Sequence, residues 1–397
     1  MSKNTIKKIA LAIAGAMIIP AFAAAEIKVG IILGFTGPIE SLTPAMGNSA
    51  ELAFKEASAS GQLLGGQSIT VIRADSTCID SAAATAAAER LITSDKVAAI
   101  MGADCSGVTT AIANNVAVPN GVPMISPSAT SPALSYIDDN GYFFRTAPSD
   151  ARQGQVLAEV TIERGIKEVA VTFTNNDYGK GLADAFANSY SGLGGKISAT
   201  VPHEDGKADY SAEVATLNAS GASVLAVFGY VDQGGRHMIQ TSIDSGAFDK
   251  FILADGMFGE SLLKNVDGDL SGTFGTVPGT DSAGAGHFTT IQKAAGMKAG
   301  GPFTSESYDA AALLVLAMQS AGSANGAAIA SNVMAVANAP GEKIMPGELG
   351  KALKILADGG AVDYVGASNV ELIDGSSTGS YKEFEVKGKA FTTVRFR

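Results

Sequence analysis

The sequence predicts an α/β protein of two doubly wound lobes, each a parallel sheet with helices on both faces. Short β-branched runs alternate with longer segments of helical period, the βαβ signature. The strand-like runs are apolar almost throughout, as strands buried on both faces require. The alternation also restarts after Phe143-Phe144-Arg145-Thr146. Shared pattern, not sequence repetition, links the two halves.

In the first lobe the expected strands are Ile27 to Leu33, Ile69 to Ala74 and Val97 to Met101. Helices follow over Asn48 to Ala59, Ser81 to Thr93 and Val108 to Val116. The second lobe opens with a helix over Asp150 to Arg164. Strands are then expected over Val169 to Thr174, Ile197 to Val201, Val224 to Phe228 and Phe251 to Ala254. Helices over Gly181 to Ser191, Tyr210 to Ala219 and Gly234 to Ser245 separate them. From Thr304 the composition turns Ala-rich with helical period to Ser320, from Ala327 to Asn338 and from Gly347 to Asp358. The tail reads as strands Val370 to Ile373, Tyr381 to Val386 and Phe391 to Phe396, punctuated by Asp374-Gly375 and Lys387-Gly388 turns. The Gly- and Ser-rich stretches Ser282 to Gly286 and Ala321 to Gly326 read as surface connections.

Lys3, Lys7 and Lys8 precede an apolar run from Ile9 to Ile19, and Ala23-Ala24-Ala25 supplies small residues for cleavage. That is the pattern of a secretory signal peptide over residues 1–25. A membrane span needs about 20 apolar residues, and Pro20 ends this run sooner. Removing those residues takes three lysines and no acid, so the net charge falls from −11 to −14. Nucleic acid is thereby a poor partner, since its phosphates call for a basic surface. A hydrophobic fraction of 46% with 17% charged residues indicates a large buried core, and the length suits two domains. The two cysteines, Cys78 and Cys105, enter an oxidising compartment, where an even count favours a disulfide. With three histidines scattered at His203, His237 and His287, they form no zinc pattern.

Hydroxyls and glycines cluster in three stretches at expected strand ends: Gly102 to Thr110, Ser126 to Pro132 and Asn175 to Gly181. In open α/β sheets the carboxyl edge is where ligands bind, and free N–H groups with neighbouring hydroxyls suit a carboxylate. Any one Ser or Thr is more simply a helix cap, but two clusters in adjacent turns favour an anion pocket.

These stretches carry a family resemblance. Gly37-Pro38, Cys105-Ser106, Ile125 to Pro132, Asp177-Tyr178-Gly179-Lys180-Gly181 and Tyr308-Asp309-Ala310 resemble the branched-chain amino-acid-binding proteins of ABC importers, over essentially all of residues 26–397. The resemblance implies a type I periplasmic-binding-protein fold, two lobes around a hinge crossed three times. It divides the chain into 26–146 plus 278–364 for lobe one and 147–277 plus 365–397 for lobe two. It implies that Ser106 and Thr130 hold a ligand carboxylate with the Ser128 backbone, while Tyr178 and Tyr230 close from the other lobe. Asp255 falls where the family places the acid that pairs with an α-ammonium, and a Cys78–Cys105 bridge has its counterpart there. The implied partners are a small ligand, an amino acid, and the ABC permease subunits of the inner membrane. No cofactor or metal is implied.

Two departures bear on specificity. The family commonly has Glu at Asp255, so this carboxylate sits one methylene further back. Ile39-Glu40-Ser41-Leu42 also stands where well-known members place an aromatic. The ligand class therefore stays open to small amides and non-amino carboxylates, and a ligand sensor is the rival role within the fold. An enzyme is not expected. The chain lacks Gly-x-Ser-x-Gly, His-Glu-x-x-His and Cys-x-x-Cys, and Gly194-Gly195-Lys196-Ile197 lacks the spacing of a phosphate loop.

Overall fold

The computed structural model describes residues 26–397, and the expected signal peptide lies outside them. In lobe one the chain runs β1 (Glu26–Leu33), α1 (Thr43–Ala59), β2 (Ser68–Asp75), α2 (Ser81–Glu89), β3 (Ala99–Gly102), α3 (Ser106–Ile112), β4 (Met124–Ser126) and β5 (Phe143–Pro148). It crosses to lobe two for α4 (Asp150–Glu163), β6 (Glu168–Thr174), α5 (Asp177–Gly192), β7 (Lys196–His203), α6 (Ser211–Asn218) and β8 (Leu225–Phe228). There follow α7 (Gly234–Asp244), β9 (Phe251–Leu253), α8 (Glu260–Asn265) and β10 (Phe274–Pro278). Back in lobe one come α9 (Ala283–Ala294), α10 (Thr304–Ala321), α11 (Gly326–Ala337), β11 (Glu342–Ile344), α12 (Leu349–Ala357), β12 (Val362–Tyr364), β13 (Leu372–Ile373) and β14 (Ser376–Ser377). Strands β15 (Tyr381–Lys387) and β16 (Ala390–Phe396) end in lobe two.

Each lobe is built on a seven-stranded sheet, ordered β13-β14-β5-β4-β3-β1-β2 in the first and β16-β15-β10-β9-β8-β6-β7 in the second. The five strands at one end of each sheet are parallel, and antiparallel pairs close the other end. Central strands β3, β4, β5, β8, β9 and β10 are buried along their whole length, and β3, β8 and β9 accordingly read as unbroken apolar runs. The edge strands β2 and β7 are mostly half-exposed. Helix α10 is buried over nearly its whole length and packs on α1, α11, α12 and strands β3 to β5. Its Ala-rich sequence lets the backbones approach on several sides.

Several expectations shift. Helix α1 begins at Thr43 rather than Asn48, because Pro44 occupies the first turn, where a missing N–H costs nothing. Helices α2 and α3 each end in a π turn, over Arg90–Ser94 and Ala113–Ala117, which keeps Leu91 and Val116 buried. Ser282 to Gly286 is not a surface connection. The Ser282 side chain caps α9, and the first turn takes glycine at Gly284 because its backbone passes against the Gly366 carbonyl, where a Cβ would lie 1.8 Å from the oxygen.

The expected return to lobe two at residue 365 is corrected. Strands β13 and β14 form an antiparallel hairpin around Asp374-Gly375 and extend the lobe-one sheet through β5. The Gly375 carbonyl accepts from the Arg145 N–H at 2.9 Å, and Arg145 Nε donates to Ser376 Oγ at 2.9 Å. The last crossing therefore lies between Ser377 and Tyr381. Two bonds lace the three crossings together: Tyr381 Oη donates to the Ser149 carbonyl at 3.1 Å and Ser380 Oγ to the Gly279 carbonyl at 3.0 Å; beside them Thr146 Oγ1 of β5 donates to the Glu306 carbonyl of α10 at 2.8 Å.

Cys78 and Cys105 are disulfide-bonded, joining the loops at the carboxyl ends of β2 and β3 across a separation of 27 residues. Closing a loop of that length restricts the unfolded chain, so the Cys78→Ser/Cys105→Ser variant is expected to lose about 3 kcal/mol. Urea unfolding reads this as a lower midpoint, and an unchanged midpoint would contradict it.

Candidate ligand-binding cleft

The strand order reverses between β1 and β3 in one sheet and between β6 and β8 in the other. Both reversals open a crevice at the carboxyl ends of the strands, the general ligand position of open α/β sheets. The lobes set these two edges against each other. Between them lies a narrow cleft lined from lobe one by Ile39, Leu42, Met46, Asp104, Cys105, Ser106, Ser128 and Phe303, and from lobe two by Tyr178, Tyr230, Asp255 and Gly256.

Five of the six residues singled out by resemblance line this space: Ser106, Ser128, Tyr178, Tyr230 and Asp255. Ser106 opens α3, and its Oγ accepts the Ser131 N–H at 3.1 Å, which leaves its own proton free for an acceptor in the cleft. Ser128 turns its hydroxyl to the Asp104 carbonyl at 3.0 Å. Thr130 does not line the space. It is fully buried, its Oγ1 has no hydrogen-bond partner, and its carbonyl accepts from the Asp150 N–H at 2.8 Å.

From lobe two, Tyr178 and Tyr230 stack with ring centroids 5.2 Å apart. The Tyr178 hydroxyl donates to Asp255 Oδ1 at 2.9 Å and accepts from the Gly256 N–H at 3.1 Å, so both of its polar roles go to holding the acid in place. Gly256 is required there, since a Cβ would meet the Gly229 carbonyl oxygen at 2.5 Å and the Tyr178 hydroxyl at 2.9 Å.

Burial dominates the electrostatics. It pushes the Asp255 carboxyl up to about 6, against the Tyr178 hydrogen bond, which favours the charged form. Burial raises Asp150 too, and the Asp255 carboxylate nearby raises it further. The Tyr178 and Tyr230 phenols go well above their usual range for the same reason and stay protonated. Asp104 is also raised by burial, but it has its own donors in the N–H groups of Gly34 and Cys105 and the Ser76 hydroxyl. Arg145, likewise buried, is lowered to about 10 and remains a cation.

Ile39 and Leu42, from the stretch the sequence reading tied to specificity, line the space, and two residues that reading missed, Met46 and Phe303, add apolar wall; Met46 was hidden by the late start expected for α1. Phe303 follows Gly300-Gly301-Pro302 at the head of α10 in a left-handed conformation, φ 58°. An aromatic directly after a glycine–proline turn was the available signal. The histidines lie apart from this chemistry. His203 is buried with its Nδ1 2.8 Å from Thr172 Oγ1, and His237 stacks on Tyr210. Among the described residues no group of three His, Cys, Asp or Glu side chains converges as a metal site.

The lobes meet directly at the mouth. Asp232 of lobe two accepts from the Ser41 N–H at 2.8 Å and donates its own N–H to the Pro38 carbonyl at 3.0 Å; Lys298 and Glu260 form an ion pair across the gap.

The chain matches the family model described as periplasmic binding protein over residues 26–351. It is 30% identical to the amino acid binding protein of Pseudomonas aeruginosa over 271 residues, 68% of this chain and 71% of that one. The crystal structure of the branched-chain amino acid transporter substrate binding protein of Streptococcus pneumoniae, in complex with isoleucine, superposes with a TM-score of 0.74 at 24% identity, covering 93% of this chain and 99% of that one. A Rhodopseudomonas palustris solute binding protein in complex with 4-hydroxybenzoate does so with a TM-score of 0.75 at 19% identity, covering 94% and 97%. By the reach of the family model and the paired lobes, the chain belongs to the periplasmic binding protein family, with amino-acid-binding proteins among its relatives.

Proposed function

We propose that this protein captures an α-amino acid with an apolar side chain in the periplasm and delivers it to the permease of an ABC importer. The observation that carries the reading is a buried acid, Asp255, on one lobe and hydroxyl donors, Ser106 among them, on the other, sharing one space with Leu42, Met46 and Phe303. A zwitterion with a hydrophobic side chain needs those three features together. The relatives named for amino acids support it.

In this reading Ser106 and Ser128 receive the carboxylate on lobe one, and Tyr178, Tyr230 and Asp255 engage the ligand on closure. Contacts made only in the closed form shift the population toward it, and that shape is what a permease reads. The protein performs no reaction on its ligand.

A thermal-shift screen of ligand-stripped protein tests the reading, because a ligand that binds the native state raises its melting temperature. Hydrophobic α-amino acids are expected to stabilise it. Stabilisation by amine-free acids alone, as with hydroxybenzoates, would overturn the assignment and keep the fold.

Closure gives a second test. Asp232→Ala removes the acceptor for Ser41 while leaving the cleft lining intact. It is expected to weaken ligand binding several-fold, roughly 1 kcal/mol for one lost charge-assisted hydrogen bond, and to enlarge the ligand-free radius of gyration in small-angle scattering. Unchanged scattering and affinity would show that this contact does not bias closure.

A further inference from the structure

Helix α5 carries a glycine that its own lobe does not need. Gly181 lies inside the helix, no positive φ calls for glycine there, and alanine is the better helix former. Gly179 is different, since a Cβ there would lie 2.2 Å from the Thr174 carbonyl oxygen of the same lobe. Beyond the backbone of its own helix, the three nearest atoms that a Cβ at Gly181 would meet all belong to lobe one. They are Pro132 Cδ at 2.8 Å, Ser131 Oγ at 3.2 Å and Pro132 Cγ at 3.8 Å. The missing side chain therefore matters where the lobes meet. Gly259 also faces lobe one, but there a Cβ would meet Leu42 Cδ2 at 2.9 Å, the free end of a chain that can turn aside. The Pro132 ring has no such freedom.

Both sides of this contact are braced. On lobe one, Pro132 opens the 3₁₀ turn Pro132–Tyr136, and Ser131 before it is held three ways. Its N–H donates to Ser106 Oγ at 3.1 Å, its hydroxyl accepts from the Ala133 N–H at 3.4 Å, and its carbonyl accepts from Arg145 at 2.8 Å. On lobe two, α5 packs along α4. Tyr178 lies three residues before Gly181, hence on the same face of the helix, and its hydroxyl holds Asp255 and the Gly256 N–H. Each half of the cleft is thus anchored next to the contact: Ser106 through Ser131 on one side, Tyr178 through one turn of α5 on the other.

We propose that Gly181 on Pro132 is the seat that sets how far the lobes close, so that this contact fixes the distance between Ser106 and Tyr178 across the cleft. Both are positioning residues, and neither lines the cleft. This rests on reading the protein as one that closes over its ligand, and it gives that motion an end point. A methyl group at position 181 would hold α5 off the Pro132 turn and stop lobe two short of a ligand bound on lobe one. Such a ligand would lack part of the differential contact that favours the closed form.

The test is Gly181→Ala, alone and combined with Pro132→Ala, by calorimetry and stopped-flow dissociation with L-leucine and by melting of the empty protein. Gly181→Ala is expected to melt no lower than wild type, since alanine favours the helix. It should nevertheless bind leucine roughly tenfold more weakly or worse, the scale of one methyl forced into a filled contact. Faster dissociation should carry the loss, because the first encounter with lobe one is untouched. Pro132→Ala removes the ring atoms that the new methyl meets, so the double variant should recover most of the affinity and the slow dissociation. Unchanged affinity in Gly181→Ala would overturn the proposal. So would a loss that Pro132→Ala does not recover, which would make the effect local to α5. Wild type that ignores leucine and binds 4-hydroxybenzoate would overturn the amino-acid reading instead, and the same variants titrated with 4-hydroxybenzoate then decide the seat by the same criteria.

Discussion

Replacing Asp255 with alanine is expected to cost about 3–5 kcal/mol of amino-acid binding, between roughly a hundredfold and several thousandfold in Kd. The size follows from where the acid sits. Asp255 is 2% exposed, and the Tyr178 hydroxyl that anchors it is directed at no other carboxylate. Removing the carboxylate strands a desolvated ammonium in a closed cleft with apolar walls, where water cannot replace the lost partner. Tyr178 fixes the position of the carboxylate through its hydroxyl, which also accepts from the Gly256 N–H. Tyr178→Phe is accordingly expected to weaken binding by a smaller amount, since the charge stays and only its orientation is lost. Isothermal titration of both variants with the best amino acid from the screen measures this. Equal affinity in Asp255→Ala and wild type would remove Asp255 from the site.

Much of this arrangement was legible in the sequence, and the parts that were not share a cause. Parallel strands such as β3, β8 and β9 announce themselves because both faces are buried and every position is apolar or glycine. The turns at such strand ends carry the hydroxyl and glycine clusters that hold Ser106, Ser128 and Tyr178, and the family resemblance was what singled out these residues and Tyr230. The strand before Asp374-Gly375 and the turn were expected, but not the return strand Ser376–Ser377 nor the lobe, because a strand of two residues leaves no periodicity; only the bonds to Arg145 and β5 assign the hairpin to lobe one. Strand β10, Phe274–Pro278, is similarly short and interrupted by Gly275, whose missing Cβ lets the Leu253 carbonyl pass. Asp150 is the clearest case. In the sequence it follows Ser149 as an ordinary acid in the first turn of a helix, where a negative charge is expected on local grounds. That both its oxygens are buried and unpartnered beside a second acid follows only from the packing of α4 against the sheet and the cleft.

Ligand affinity is expected to fall as pH drops through the region of 6, by up to about tenfold per pH unit for a single acid. Burial holds the Asp255 carboxyl up to about 6 in the empty cleft. An ammonium beside it favours the charged form, so the pKa drops on binding and, below 6, capture must expel a proton. The neighbours do not supply this dependence. Tyr178 and Tyr381 are raised and stay neutral, and Arg145, lowered to about 10, stays charged. Asp104 faces the space with three donors already in place. Asp150 is raised too, by burial and by the Asp255 carboxylate, and lies outside the cleft lining. The empty protein should respond with the opposite sign. Acids whose folded pKa lies above the unfolded value stabilise the fold when protonated, a contribution fully present below the unfolded pKa and lost as pH rises through the folded one. Asp255 and Asp309, both raised to about 6, therefore favour the empty fold more at pH 5 than at pH 7. Melting curves with and without leucine across pH 4.5 to 8 separate the two effects: a ligand-induced increment that shrinks on acidification while these acids favour the empty fold locates the titration in the cleft. An increment independent of pH would mean that no carboxylate meets the ligand's charge.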